Sequence, residues 1–231
     1  MRVSSVRIAV VLLLSLSIAA KSPAQSDTRT TDDPFAPGHT IGVPFTATWQ
    51  QSIWDHGKLT SQTTLQRVAR ASDGSTYCAT LTPEGTPTKV DIDDLPNNRM
   101  ITLYPQNHTY KLSTPQVGKF HTFSLEEVAK ILEQLQEENA QGSERSPLRL
   151  TSLGVKQEDG MTLYGQKTES HVGDNVITEE WWISSDLFVK ARLKQTQSTE
   201  EHVYFSVIRD VRRVEPDSTL FEIPKGYTGI K

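Results

Sequence analysis

The stretch Val43-Pro44-Phe45-Thr46-Ala47-Thr48-Trp49-Gln50-Gln51-Ser52-Ile53 decides the fold of this chain. Val43, Phe45, Ala47, Trp49 and Ile53 fall on one side, and Thr46, Thr48, Gln50 and Ser52 on the other. That is the period-two pattern of a strand with one buried face. Asp55-His56-Gly57 follows as a turn, Lys58 to Ala71 is rich in Thr, Leu and Val, and Asp73-Gly74 reads as a hairpin. Ser75 to Leu81 then continues the pattern up to Pro83-Glu84-Gly85. Strands joined by turns this short pair antiparallel, because a parallel crossover needs about a dozen residues or more.

Outward from this meander the same style persists. Strands are predicted at Thr88 to Ile92, Met100 to Tyr104 and Thr109 to Leu112, with Pro96-Asn97-Asn98 and Pro105-Gln106-Asn107-His108 as turns. The one segment with helical period is Leu125 to Ala140. Ser124 is its N-cap, Glu127 completes a capping box, and Leu125, Val128, Leu132 and Leu135 form the apolar stripe. Gly142 to Pro147 reads as a seam. Beyond it strands are predicted at Leu148 to Lys156, Met161 to His171, Val176 to Ile183, Leu187 to Gln197 and His202 to Val214. About ten strands and one helix predict a mainly β, α+β fold: a large curved antiparallel sheet, or incomplete β-barrel, with the helix at 124–140 packed on it.

The N-terminus predicts an address. Arg2 and Arg7 precede the apolar run Ile8 to Ala20, and Ser22-Pro23-Ala24 offers small residues at a cleavage site, so residues 1–24 read as a secretory signal peptide cleaved near Ala24. The run is shorter than the roughly 20 apolar residues of a spanning helix, and no other such run follows. The expected location is extracytoplasmic, periplasmic or secreted, with no transmembrane segment. Residues 25–42 are rich in Thr, Asp and Pro without apolar period and are expected to be disordered or loosely attached. Residues 43–231 are then expected to form a single β-rich domain, with order starting near Val43.

Charge and cysteine content exclude several classes. The chain has net charge -4, and its first 24 residues hold Arg2, Arg7 and Lys21 but no acid, so the exported part is more acidic still. Nucleic acid is therefore not an expected partner. Cys78 is the only cysteine, which permits no internal disulfide, so stability must come from packing. No Gly-x-Ser-x-Gly elbow occurs, and the six histidines never show zinc-ligand spacing. Asp91-Ile92-Asp93-Asp94 lacks the glycine and distal glutamate of a calcium loop. No catalytic residue, metal or cofactor is assigned. The costly aromatic side chains draw the attention instead. Trp181 and Trp182 must face opposite sides of a strand, and Trp49 and Phe45 share a face of the first one. Either these four pack the core, or they line an apolar pocket in the hollow of the sheet.

The ending Arg212-Arg213-Val214-Glu215-Pro216-Asp217-Ser218-Thr219-Leu220-Phe221-Glu222-Ile223-Pro224-Lys225-Gly226-Tyr227 resembles that of secreted, uncharacterised bacterial proteins common in Acidobacteria. Pro44-Phe45-Thr46-Ala47, Asp55-His56-Gly57, Leu153-Gly154 and Thr178 to Ser184 resemble segments of the same group, from which Ser75-Thr76-Tyr77-Cys78 departs. More loosely, the layout is similar to the LolA-like lipoprotein-carrier fold, an incomplete barrel closed by helices. That resemblance implies a hollow able to shelter acyl chains. Physically, Leu220, Phe221 and Ile223 with Pro224 and Gly226-Tyr227 read as a plug that turns the tail against the sheet.

The expectation is thus a non-enzymatic envelope protein that binds a lipid, a lipoprotein or another apolar ligand, with Trp49, Phe45, Trp181 and Trp182 as candidate lining residues. The alternatives are an envelope protein–protein interaction or sensor module, and an enzyme whose site assembles only in space.

Overall fold

The computed structural model describes residues 34–35, 38–60, 64–115, 120, 122–140, 148–172, 175–197 and 202–230. The signal peptide at 1–24, most of the leader at 25–42 and the seam at 141–147 lie largely or wholly outside the described residues, as do the side chains of Leu125 and Leu135. The strands are β1 (His39–Thr40), β2 (Phe45–Asp55), β3 (Lys58–Leu59), β4 (Thr64–Arg70), β5 (Thr76–Leu81), β6 (Pro87–Asp94), β7 (Arg99–Tyr104), β8 (Thr109–Ser113) and β9 (Thr122–Phe123). Helix α1 (Leu125–Ala140) follows, then β10 (Leu148–Glu158), β11 (Met161–Val172), β12 (Asn175–Ser184), β13 (Lys190–Gln197), β14 (His202–Arg212) and β15 (Thr228–Ile230).

Thirteen of these strands form one sheet in the order β10-β11-β12-β13-β14-β2-β4-β5-β6-β7-β8-β15, with β3 added to β2. It is a mostly β structure whose large curved sheet stays open instead of closing into a barrel. Every pairing in it is antiparallel except β15 on β8, where the chain returns along the far edge. The longest-range join is β14 to β2, which brings His202 opposite Asp55 and Ile208 opposite Trp49. It welds the last long strand to the first one. Bulges interrupt the register at Ser152/Gly154, Trp182/Ile183 and Arg209/Arg212, devices that bend a wide sheet.

Three apolar clusters cover the sheet. At the end where β2 begins and β12 stops, Phe45, Ala47, Trp49, Val68 and Ile208 pack with Met161, Leu163 and the turn residues Leu187 and Val189. Under α1, Val128 and Leu132 meet Trp181, Ile183 and Leu193. On the opposite face of the β4–β8 half, Ala69, Tyr77, Ala79, Val90, Ile92, Ile101 and Leu103 are covered by Leu220, Phe221, Ile223 and Tyr227. The C-terminal segment therefore does act as a plug. Strand β4 marks where burial changes sides: Val68, Ala69 and Arg70 are consecutive and all buried, which a half-buried strand would not allow.

The capping box is formed as the sequence predicts. Ser124 N–H donates to Glu127 Oε2 at 2.8 Å and Glu127 N–H donates back to Ser124 Oγ at 3.3 Å. Ahead of Val43, Phe35 is buried against Phe45 and β1 pairs in parallel with β9. A polar segment with one buried aromatic docks without showing any apolar period. Leu187 to Val189, expected within a strand, instead form a buried turn closed by Phe188 N–H donating to the Ser184 carbonyl at 2.8 Å.

Candidate functional site

Register fixes which side chains share the hollow beneath α1. Gln166 lies opposite Trp181, Trp181 opposite Leu193, and Leu193 opposite Ser206, so the four form one row across β11, β12, β13 and β14. Directly paired residues point to the same face. Trp181 and Leu193 pack with Val128 and Leu132 of the helix, and Tyr164 and Tyr204 flank them. Phe123 and Phe188, edge to face at 5.4 Å between centroids, close one side of this cluster. The helix reaches the sheet through its apolar stripe because Val128 and Leu132 sit four residues apart on one face.

The four aromatic candidates divide between two clusters. Trp181 faces the helix-covered hollow. Trp182 faces the other way, and the carbons of its ring lie where a side chain on Gly165 would have to sit, within 2.6 Å of an added Cβ. The Lys156 ammonium lies 4.1 Å from the centroid of the same ring. Trp49 shares the Trp181 face through the β14–β2 register, yet packs in the cluster at the sheet's end. Phe45 is wholly buried there, 6.1 Å from the Phe35 ring and beneath the Arg70 guanidinium at 5.1 Å. The structure brings Trp49 and Phe45 into one cluster, against which Trp182 also packs, and holds Trp181 in the neighbouring cluster.

Polar groups around these clusters follow three patterns. Arg70 is fully buried; its Nε donates to the Val43 carbonyl at 3.1 Å and Nη2 to the Leu187 carbonyl at 2.5 Å. Burial pulls its guanidinium down to about 9, still protonated at neutral pH. His39 Nε2 lies 3.4 Å from Asp93 Oδ2, and the Thr76 hydroxyl donates to the same oxygen at 3.1 Å. The hydroxyl is bound to the acid, not to the imidazole, which is the wrong order for a nucleophile activated by histidine. On the surface, the Nδ1 atoms of His56 and His202 stand 2.9 and 3.0 Å from Asp55 Oδ1. Among the described residues no group of three or more His, Cys, Asp or Glu is arranged to hold a metal ion.

Asp91, Asp93 and Asp94 each have a separate partner. Asp91 accepts from Thr102 at 2.9 Å, Asp93 from Thr76, and Asp94 from Arg99 at 2.7 Å. Cys78 is half-buried against the cluster at the sheet's end. The residues that sequence reasoning left out are Gln166, Leu193, Tyr204 and Ser206. Their strands were legible, but alternation alone does not say which of two faces looks inward.

A large, open, curved and mostly antiparallel sheet with one helix packed on it is the architecture of this chain. No known protein family matches its sequence, and no characterised protein matches it either. Among solved structures it is similar to an uncharacterised conserved protein of Thermus thermophilus, with 10% identity over 82% of this chain and 91% of that one, at a TM-score of 0.48. It is also similar to a LolA superfamily protein of Nitrosomonas europaea, with 7% identity over 78% of this chain and 90% of the other, at 0.35. A third likeness is to the MucA/MucB complex structure of Pseudomonas aeruginosa, with 11% identity over 78% of this chain at 0.43. The present chain spans 55% of that matched chain. Among the described residues no helix is long and apolar enough to cross a membrane.

Proposed function

We propose that this is a non-enzymatic extracytoplasmic envelope protein, exported by cleavage near Ala24, whose single β-rich domain at 43–231 binds a lipid, a lipoprotein or another apolar ligand under α1. The observation that carries the reading is the pairing of Trp181 with Leu193 in one buried cluster with Val128 and Leu132. Among the described residues a single helix, held to the sheet by a short apolar stripe, packs on that cluster, so it can move aside more cheaply than a strand can leave a ladder. Trp181 supplies a large apolar wall at the point of entry. Trp49 lies outside this cluster, in the one at the sheet's end. The resemblance of the C-terminal ending to secreted bacterial proteins agrees with this location.

Protein purified from its native envelope is expected to release an apolar molecule into organic solvent, read by mass spectrometry. Empty extracts, together with no change in tryptophan fluorescence on titration with long-chain fatty acids, would defeat the proposal. A second reading is favoured by the exposed tip of the β2–β3 hairpin, where Trp54 and Leu59 are a cross-strand pair and Ile53 adjoins them, all 40–48% exposed. Such a patch suits a protein partner. Cross-linking in cells that yields a stable protein adduct through this tip, with no bound lipid, would favour it over the first.

A further inference from the structure

The row beneath α1 is apolar at its centre and polar at both ends. Gln166, Trp181, Leu193 and Ser206 are 5%, 6%, 5% and 1% exposed, so the whole row is out of solvent. Gln166 Oε1 and Ser206 Oγ are inaccessible and have no hydrogen-bond partner among the described residues, and Ser170 Oγ, further along the same face of β11, is in the same condition. Leaving a buried polar atom unpaired is costly, and the large majority of buried side-chain polar atoms in folded proteins are paired. Three on one face of one hollow therefore mark a place prepared for polar atoms from elsewhere. Gln166 is the most informative of them, because a carboxamide oxygen can only accept.

We infer that the ligand of this hollow is an amphipathic molecule carrying an amide N–H or a hydroxyl on an apolar body, and not a plain hydrocarbon or ester chain. The inference rests on the reading of the hollow given above. The apolar body lies over Trp181 and Leu193, its N–H or O–H donates to Gln166 Oε1, and a second polar group meets the Ser206 hydroxyl. Three strand spacings of about 4.8 Å separate Gln166 from Ser206, so a ligand engaging both ends spans roughly 14 Å. An ester or alkane would leave Gln166 Oε1 as it is, and gain nothing from it.

The test uses the full exported chain and N-phenyl-1-naphthylamine as a fluorescent reporter of the hollow, displaced by dodecanamide or by methyl dodecanoate. Dodecanamide is expected to displace it at concentrations at least tenfold lower than the ester. In Gln166→Leu that preference should fall below twofold, while the thermal midpoint does not drop, since a side chain with no polar atom removes an unpaired one. Gln166→Met provides the same comparison if the Leu variant folds poorly. Equal displacement by amide and ester in the native protein would overturn the inference and leave the apolar hollow standing. Failure of the reporter to bind at all would overturn both.

Discussion

Replacing Gly165 with alanine probes the wall behind the hollow, because Gly165 is directly paired with Trp182 and lies under its ring. An added Cβ would stand 2.6 Å from two carbons of that ring and 2.7 Å from a third, so the indole must shift. Displacing a packed side chain in this way costs about 1–3 kcal/mol. It also draws the ring off the Lys156 ammonium, which at a partly exposed site is worth about 0.5–1 kcal/mol. Against that, alanine in a strand recovers roughly 0.5–1 kcal/mol of the entropy that glycine loses on folding. The net expectation is a loss of about 1–3 kcal/mol in the native background. In Trp182→Leu, which lacks the six-membered ring responsible for the clash, the same change should be neutral or stabilising by about 0.5 kcal/mol. Urea unfolding followed by far-ultraviolet circular dichroism for the four proteins of the cycle measures the coupling. If Gly165→Ala costs as much in the Trp182→Leu background as in the native one, the placement of Trp182 on the outer side is wrong, and so is the assignment of Trp181 to the hollow.

Other outcomes follow from the same geometry. Ser124→Ala removes one half of the capping box and should cost about 1 kcal/mol, with faster amide hydrogen exchange confined to α1. Phe221→Ala should cost about 2 kcal/mol, less than the roughly 3–5 kcal/mol of a fully buried phenylalanine because Phe221 is half-buried. Since it covers the face away from α1, reporter binding in the hollow should not change. Hydrogen bonding from Lys156, with Arg192 nearby, holds the Glu158 carboxyl below its ordinary value. As pH falls, the unfolded chain therefore takes up that proton first. The contribution is present at neutral pH, starts to be lost near the ordinary glutamate value of about 4.3, and is gone once pH is below the lowered folded value. Lys156→Met should flatten the dependence of the urea midpoint on pH between about 5 and 3, and an unchanged slope would refute the assignment.

How far the fold and the site could be read from residues alone depended on whether each signal was local. Alternation in Phe45 to Asp55, the Asp73-Gly74 turn and the box at Ser124 and Glu127 are written within a few positions, and most strands, hairpins and the helix came out close to their observed bounds. The apolar grouping of Leu220, Phe221 and Ile223 was likewise enough to identify a plug. The parallel pairing of β15 with β8 and of β1 with β9 was not legible, because short strands joined over long separations have no local pattern. Phe35 gave no sign of docking for the same reason: one aromatic in a polar segment carries no period.

For the site, the sequence by itself determined that Trp181 and Trp182 oppose each other, since successive residues of a strand point to opposite faces. Only the tertiary structure decided which one looks inward. That choice depends on the register of β12 with β11 and β13 and on where α1 lands. The burial of Gln166 and Ser206 is likewise a property of neighbours distant in the chain. A side chain's direction relative to its own backbone is local, whereas what lies in that direction is fixed by which strands pair and which element covers them.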